Sequence, residues 1–119
     1  MEFVMSYILE NLKIAGNDIE EYLDRFEQDE ETCEMLASMF AQDTHFDCYQ
    51  ESYKARDYAG CREHIHSIKG ASANVGLTLL SQKAGEIMRC IDSGNFDRLD
   101  SLNDELSDIY TSTIQILCA

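Results

Sequence analysis

No proline interrupts the 119 residues of this chain. Proline stops helices more firmly than any other residue, because it lacks a backbone donor and its ring clashes with the preceding turn. Without it, helices run until a glycine or a capping side chain ends them. β-Branched runs are short, strong helix formers are common, and apolar residues recur at spacings of three and four. The pattern predicts an all-α chain. With 45% apolar residues, it belongs with globular rather than disordered sequences. The length suits one domain, 1–119, with a sizeable core.

The periodicity divides the chain into six helical segments. Residues 2–14 set Val4, Met5, Ile8 and Leu12 on one stripe. Gly16 and Asn17 break it, and Ile19, Tyr22, Leu23 and Phe26 define a short second helix. Asp29 has the chemistry of an N-cap, with acidic residues in the turn that follows. A long third segment is expected from Glu30 to Lys54, with Met35, Met39, Phe46, Tyr49 and Tyr53 along one edge and Leu36 and Phe40 beside them. Asp57 caps the fourth segment, which turns Cys61, Ile65, Ile68, Ser72 and Val75 inward and ends at Gly76 as a C′ glycine. The fifth runs from Thr78 to Ser93 with Leu80, Ala84, Ile87 and Ile91 inward. Gly94 stops it, and Asn95 is expected to cap the sixth, whose seam is Leu99, Leu102, Leu106, Ile109, Thr113 and Ile116. Short connections between long helices imply antiparallel neighbours. The expected architecture is an up-and-down antiparallel four-helix bundle built from segments three to six, with additional short N-terminal helices over one end.

Nine basic residues stand against 23 acidic ones, a formal charge of −14. There is no basic stripe to neutralise phosphates, which argues against nucleic acid and anionic membrane surfaces as partners. No apolar run approaches the ~20 residues of a membrane span. The opening stretch MEFVMSYILENLK lacks a basic leader and a cleavage-type ending, so it is not read as a signal peptide. Cys33, Cys48, Cys61, Cys90 and Cys118 are odd in number and form no CxxC pair. They read as free thiols of a reducing compartment. The expectation is a cytoplasmic protein.

The chemistry concentrates on the fourth segment. At 100° per residue, His66 points about 140° away from the direction shared by the core residues. Ala59, Gly70 and Ala73 lie within about 40° of it, and Arg62 and Lys69 about 40–60° to one side. An imidazole therefore stands on a nearly bare strip beside two cations in an otherwise acidic chain. A mid-helix glycine costs about 1 kcal/mol relative to alanine, and close approach of another molecule to His66 accounts for Gly70. A neutral imidazole nitrogen is a nucleophile, and its phosphoramidate passes the group on. Lys69 and Arg62 would offset the phosphoryl charge. Asn74, about 80° round, borders this surface or simply precedes the terminating glycine.

The stretch His66-Ser67-Ile68-Lys69-Gly70-Ala71-Ser72-Ala73-Asn74-Val75-Gly76 resembles the signature of histidine-containing phosphotransfer (HPt) domains. That signature is His, any residue, an aliphatic, Lys, Gly, small residues, and a Gly ten positions after the His. The resemblance extends to Ile19-Glu20-Glu21-Tyr22-Leu23-Asp24-Arg25-Phe26 with Asp29-Glu30-Glu31, to Asp57, and to Gly94-Asn95. It covers roughly residues 16–117 and leaves 1–15 as an N-terminal helical extension. Ile65 and Ile68 stand where Ala and Leu are frequent, which is conservative.

The resemblance implies a phosphorelay intermediate that accepts a phosphoryl group from a receiver-domain aspartate and donates it to another. It implies response-regulator receivers, a hybrid sensor histidine kinase, or both as partners. It also implies that Mg²⁺ is bound by the receiver, with no cofactor or metal on this chain. His66 would be the phosphoryl acceptor, Lys69 and Arg62 would stabilise its charge, and Gly70 would give the partner access. Ala59, Ala73 and Asn74 would meet the partner. Two other readings stay open. One is a substrate domain phosphorylated directly by an ATP-dependent histidine kinase. The other is a helical interaction scaffold that is never phosphorylated. There is no phosphate-binding glycine loop, Walker-type lysine or kinase signature, so the chain is read as a phosphocarrier without ATP-dependent kinase activity of its own. His64 and His66 are two apart and do not share a helix face, so they cannot chelate a metal as an i, i+4 pair could. His64 is expected at the core boundary and His45 in a structural or exposed place. A monomer is expected, because the proposed bundle uses all the strong apolar stripes. The opening methionine and extra helix lean towards a free-standing protein.

Overall fold

The computed structural model describes residues 6–119. They form seven α-helices, with two single 3-10 turns and no strand among the described residues. The helices are α1 (Tyr7–Ala15), α2 (Ile19–Arg25), α3 (Glu30–Met39), α4 (His45–Lys54), α5 (Tyr58–Asn74), α6 (Thr78–Ser93) and α7 (Leu99–Leu117). Four begin at a capping side chain. Ser6 accepts the Leu9 N–H, Asp18 that of Glu21, Asp29 that of Thr32 and Asp57 that of Gly60. Each satisfies a donor that a helix start leaves unpaired.

α4 to α7 form the bundle, and contacts between side chains fix its topology. Phe46 stacks on Tyr110 with centroids 3.8 Å apart. Gln50 donates to Ser107 Oγ at 3.1 Å, and the Tyr53 hydroxyl donates to Asp100. Residue numbers rise along α4 as they fall along α7, so the two are antiparallel. The same holds across α4–α5, where His45 meets His64 and Ser52 lies beside Gly60. It holds across α5–α6, where Arg62 meets Asp92 and Lys69 lies against Gly85. Up-and-down order follows. Tyr49, Cys61, Ile65, Ile68, Leu80, Ala84, Ile87 and Leu106 are buried in this core. Each large apolar side chain so removed from water contributes about 1.5–3 kcal/mol.

α1 to α3 pack over one end around Leu9, Leu12, Ile19, Tyr22, Leu23, Cys33, Ala37 and Phe40. Asn17 ties this cap to the bundle: its Nδ2 donates to Leu12 O at 3.0 Å and its Oδ1 accepts the Leu79 N–H at 3.1 Å. Both polar ends of a buried amide are thereby satisfied.

Three expectations are corrected. The segment expected from Glu30 to Lys54 is two helices, divided by a 3-10 turn (Phe40–Gln42) and by Asp43 in an extended conformation. Asp43 Oδ1 accepts the His45 N–H at 2.8 Å, so a side chain supplies the restart where no glycine or proline signals one. The bundle therefore uses only the second half of that segment. Met35 and Met39 are exposed, since the buried face of α3 is carried by the small residues Cys33 and Ala37. On α1 the expected stripe residues Ile8 and Leu12 both pack on the core, with Leu9 buried beside them; Val4 and Met5 lie outside the described residues. Asn95 makes no side-chain cap for the last helix, because a 3-10 turn (Phe96–Arg98) precedes α7. The fifth segment runs over Thr78–Ser93 as expected.

The Tyr49 hydroxyl is buried with no hydrogen-bond partner among the described residues. Burial pushes its phenol pKa up. Tyr49→Phe is expected to raise stability by about 1 kcal/mol, because a buried polar group without a partner costs about 1–3 kcal/mol. Chemical denaturation would read the gain, and a loss would mean the hydroxyl has a partner.

Candidate functional site on helix α5

α5 is made by its inner face and closed at both ends. Cys61, Ile65, Ile68 and Ser72 are buried at spacings of 4, 3 and 4. Asp57 caps the start at 3.0 Å from the Gly60 nitrogen. At the far end Leu77 N–H bonds back to Ser72 O at 2.9 Å across Gly76, which takes φ +75°. That is a Schellman closure, and a left-handed residue there favours glycine.

This frame leaves His66 at the midpoint of the 17-residue helix, exposed on the side opposite the core. Ala59, Arg62, Lys69, Gly70, Ala73 and Asn74 are all exposed on the same helix. The strip around the imidazole is low because its neighbours are small. A Cβ added to Gly70 would meet nothing within 4 Å among the described residues, so no packing among them demands glycine there. Gly70→Ala is expected to stabilise the protein by about 0.5–1 kcal/mol, the helix-propensity difference. If the bare backbone serves a partner, the same variant slows phosphoryl uptake from that partner. Unfolding curves and initial transfer rates test the pair, and unchanged rates would remove the role given to Gly70.

The two flanking cations differ. Arg62 is held across the α5–α6 seam by Asp92, with Nε–Oδ1 2.6 Å and Nη2–Oδ2 3.2 Å. The Arg62 guanidinium holds the Asp92 carboxyl below its ordinary pKa. Arg62 therefore acts as a strut between two helices, and the sequence could not reveal a partner 30 residues away. Lys69 makes no ion pair among the described residues, and its aliphatic stem lies over Gly85 of α6. Sequence reasoning missed two neighbours from other helices. Arg25 of α2 donates to Ala73 O at 3.0 Å, a cation at the carbonyl end of α5 where the helix dipole favours one. Arg89 of α6 borders the same groove as Lys69, together with Gln82 and Gly85. No sequence spacing on α5 points to either.

The other histidines are differently placed. His45 Nδ1 lies 2.8 Å from Asp43 Oδ1, and half-buried His64 faces the His45 ring at 6.2 Å between centroids. Among the described residues, no group of three or more His, Cys, Asp or Glu side chains is arranged to hold a metal ion. No helix among them is long and apolar enough to cross a membrane.

A family model described as Hpt domain matches residues 12–115. No match was found among curated proteins or among solved structures.

Proposed function

The chain belongs to the Hpt domain family, whose members serve histidine phosphotransfer in two-component signalling, and from that premise we infer that it is a phosphorelay intermediate with His66 as its phosphoryl carrier. The observation that carries the reading is an exposed imidazole at the midpoint of a helix, beside the bare Gly70 and Lys69, which makes no ion pair among the described residues. A ring nitrogen of His66 attacks the phosphorus of a receiver's aspartyl phosphate. The N–P bond forms as the bond from phosphorus to the aspartate oxygen breaks, and the carboxylate leaves with the electron pair. Donation to a second receiver is the reverse step. Lys69 offsets charge on the group in transit, and the low strip around His66 lets the receiver's active site, with its own Mg²⁺, close over the imidazole. Ala59, Ala73 and Asn74 lie on the surface that the receiver covers. The partners are receiver domains, free or within a hybrid sensor kinase, and the chain works as a monomer in the cytoplasm with no cofactor of its own.

The test incubates the chain, in Mg²⁺, with a panel of phosphorylated receiver domains and separately with a histidine-kinase catalytic domain and ATP. Acid-labile, base-stable label taken from a receiver is the expected result. Label from the kinase alone would overturn the choice of donor. No label from either would leave a helical scaffold.

A further inference from the structure

We propose that Arg89 of α6 is the second cation of the phosphohistidine site, holding with Lys69 the phosphoryl group carried by His66. The proposal rests on the phosphocarrier reading above. Three observations lead to it.

The first is position. Arg62 lies opposite Asp92 and Lys69 opposite Gly85 across the antiparallel seam, which sets His66 level with residues 88–89. Lys69 Cε and Arg89 Nη1 would lie 3.6 and 3.5 Å from a Cβ on Gly85. Both cationic side chains therefore lie across the same spot on α6.

The second is charge. The acids one turn before and one turn after Arg89 on α6 are Glu86 and Asp92, and each is engaged by another cation. Lys83 holds Glu86 at 3.1 Å and Arg62 holds Asp92 at 2.6 Å. Arg89 has no carboxylate partner within 4.0 Å among the described residues. An exposed guanidinium left unpaired in a chain of charge −14 is available to an anion. The strut Arg62–Asp92 thus does two things: it removes Arg62 from the site, and it removes the acid that would otherwise neutralise Arg89.

The third is Gly85 itself. It is buried in the middle of α6, where glycine costs about 1 kcal/mol relative to alanine. A Cβ would make only ordinary contacts there, and the contacts are with Lys69 and Arg89. The absent side chain keeps the saddle low beneath both cations. A phosphoryl group brings about two negative charges and three acceptor oxygens. Lysine meets it as a point charge, and arginine as a planar fork with parallel donors.

The experiment charges the full chain with phosphoramidate, a small donor that needs no docking surface, and follows the phosphohistidine by ³¹P NMR. Wild type, Arg89→Ala, Arg89→Lys and the double variant Arg62→Ala/Asp92→Ala are compared as the phosphoryl group is titrated. A cation beside the phosphoryl favours its more charged form, so Arg89→Ala is expected to raise the phosphoryl pKa by about half a unit or more. Arg89→Lys should restore most of the shift, and the double variant Arg62→Ala/Asp92→Ala, which removes the strut without freeing an acid beside Arg89, should leave the wild-type value. A variant lacking Arg89 that titrates like wild type would overturn the proposal, as would an equal shift on removing Arg62 and Asp92 together. Failure of His66 to take label in the wild type would overturn the phosphocarrier reading itself, a separate result.

Discussion

Replacing His66 by Gln is expected to abolish phosphoryl uptake from every donor while leaving the fold intact. Gln keeps similar reach and hydrogen-bonding capacity but has no nucleophilic ring nitrogen, so the N–P bond has nothing to form on. The position is exposed and mid-helical, and Gln is at least as good a helix former as His. The stability change should stay within about 0.5 kcal/mol, as for a surface substitution outside a packing or capping site. The chain carries its own controls. His45 is held to Asp43 through its Nδ1 and His64 is half-buried beside it, so neither stands on an open helix face as His66 does. Label uptake measured with thermal unfolding decides the matter. Acid-labile label persisting in the variant would place the acceptor on another histidine.

Gly76→Ala should be the most damaging single-methyl change at the end of the bundle. At φ +75° the residue is in the left-handed region, which costs an L-residue about 1–2 kcal/mol. Its new Cβ would also lie 2.5 Å from Tyr22 Cδ2 and 2.6 Å from Cγ. The Tyr22 ring cannot simply retreat. It is fully buried, its hydroxyl donates to Cys33 O at 2.8 Å, and Phe26 meets it edge-on with centroids 5.4 Å apart. Overpacking of this kind costs about 1–3 kcal/mol, so a total loss of about 2–5 kcal/mol is expected. Set against the roughly 5–15 kcal/mol of a typical domain, that is a large share. A clear fall in the urea midpoint with an unchanged slope is the predicted signature. An unchanged midpoint would mean that the cap helices do not pack on the α5–α6 turn as described.

The residues that define α5 and α6 were legible because every local signal agreed there. Asp57, the spacing of Cys61, Ile65, Ile68 and Ser72, and the positive-φ Gly76 and Gly94 all mark the same boundaries, and consistency between levels is what makes a segment readable. The break at Asp43 was not legible. It depends on one carboxylate bonding the next turn's backbone, in a stretch without glycine or proline. Met35 and Met39 misled for a related reason: hydrophobicity suggests a buried face, but the phase of a ten-residue helix is decided by what its neighbours can accommodate. Cys33 and Ala37 were small enough to lie against α2. On the site, exposure of His66 followed from helix geometry alone. The pairing of Arg62 with Asp92, and the approach of Arg25 and Arg89, depend on side chains from other helices. Spacing within α5 contains no trace of them.

The place of His66 at the centre of α5 has a consequence for exchange and binding. Eight residues of helix stand on either side of it, so end-fraying does not reach its backbone. Its amide and those of its neighbours on the inner face should exchange with solvent only through the larger openings of the bundle, far more slowly than amides at the α3–α4 break. A partner that docks here has no loop to freeze and no disordered segment to fold, and association then carries little of the ordering entropy that slows coupled folding and binding. Such a surface suits brief, repeated encounters, in which a carrier meets one protein, lets go, and meets the next without changing shape.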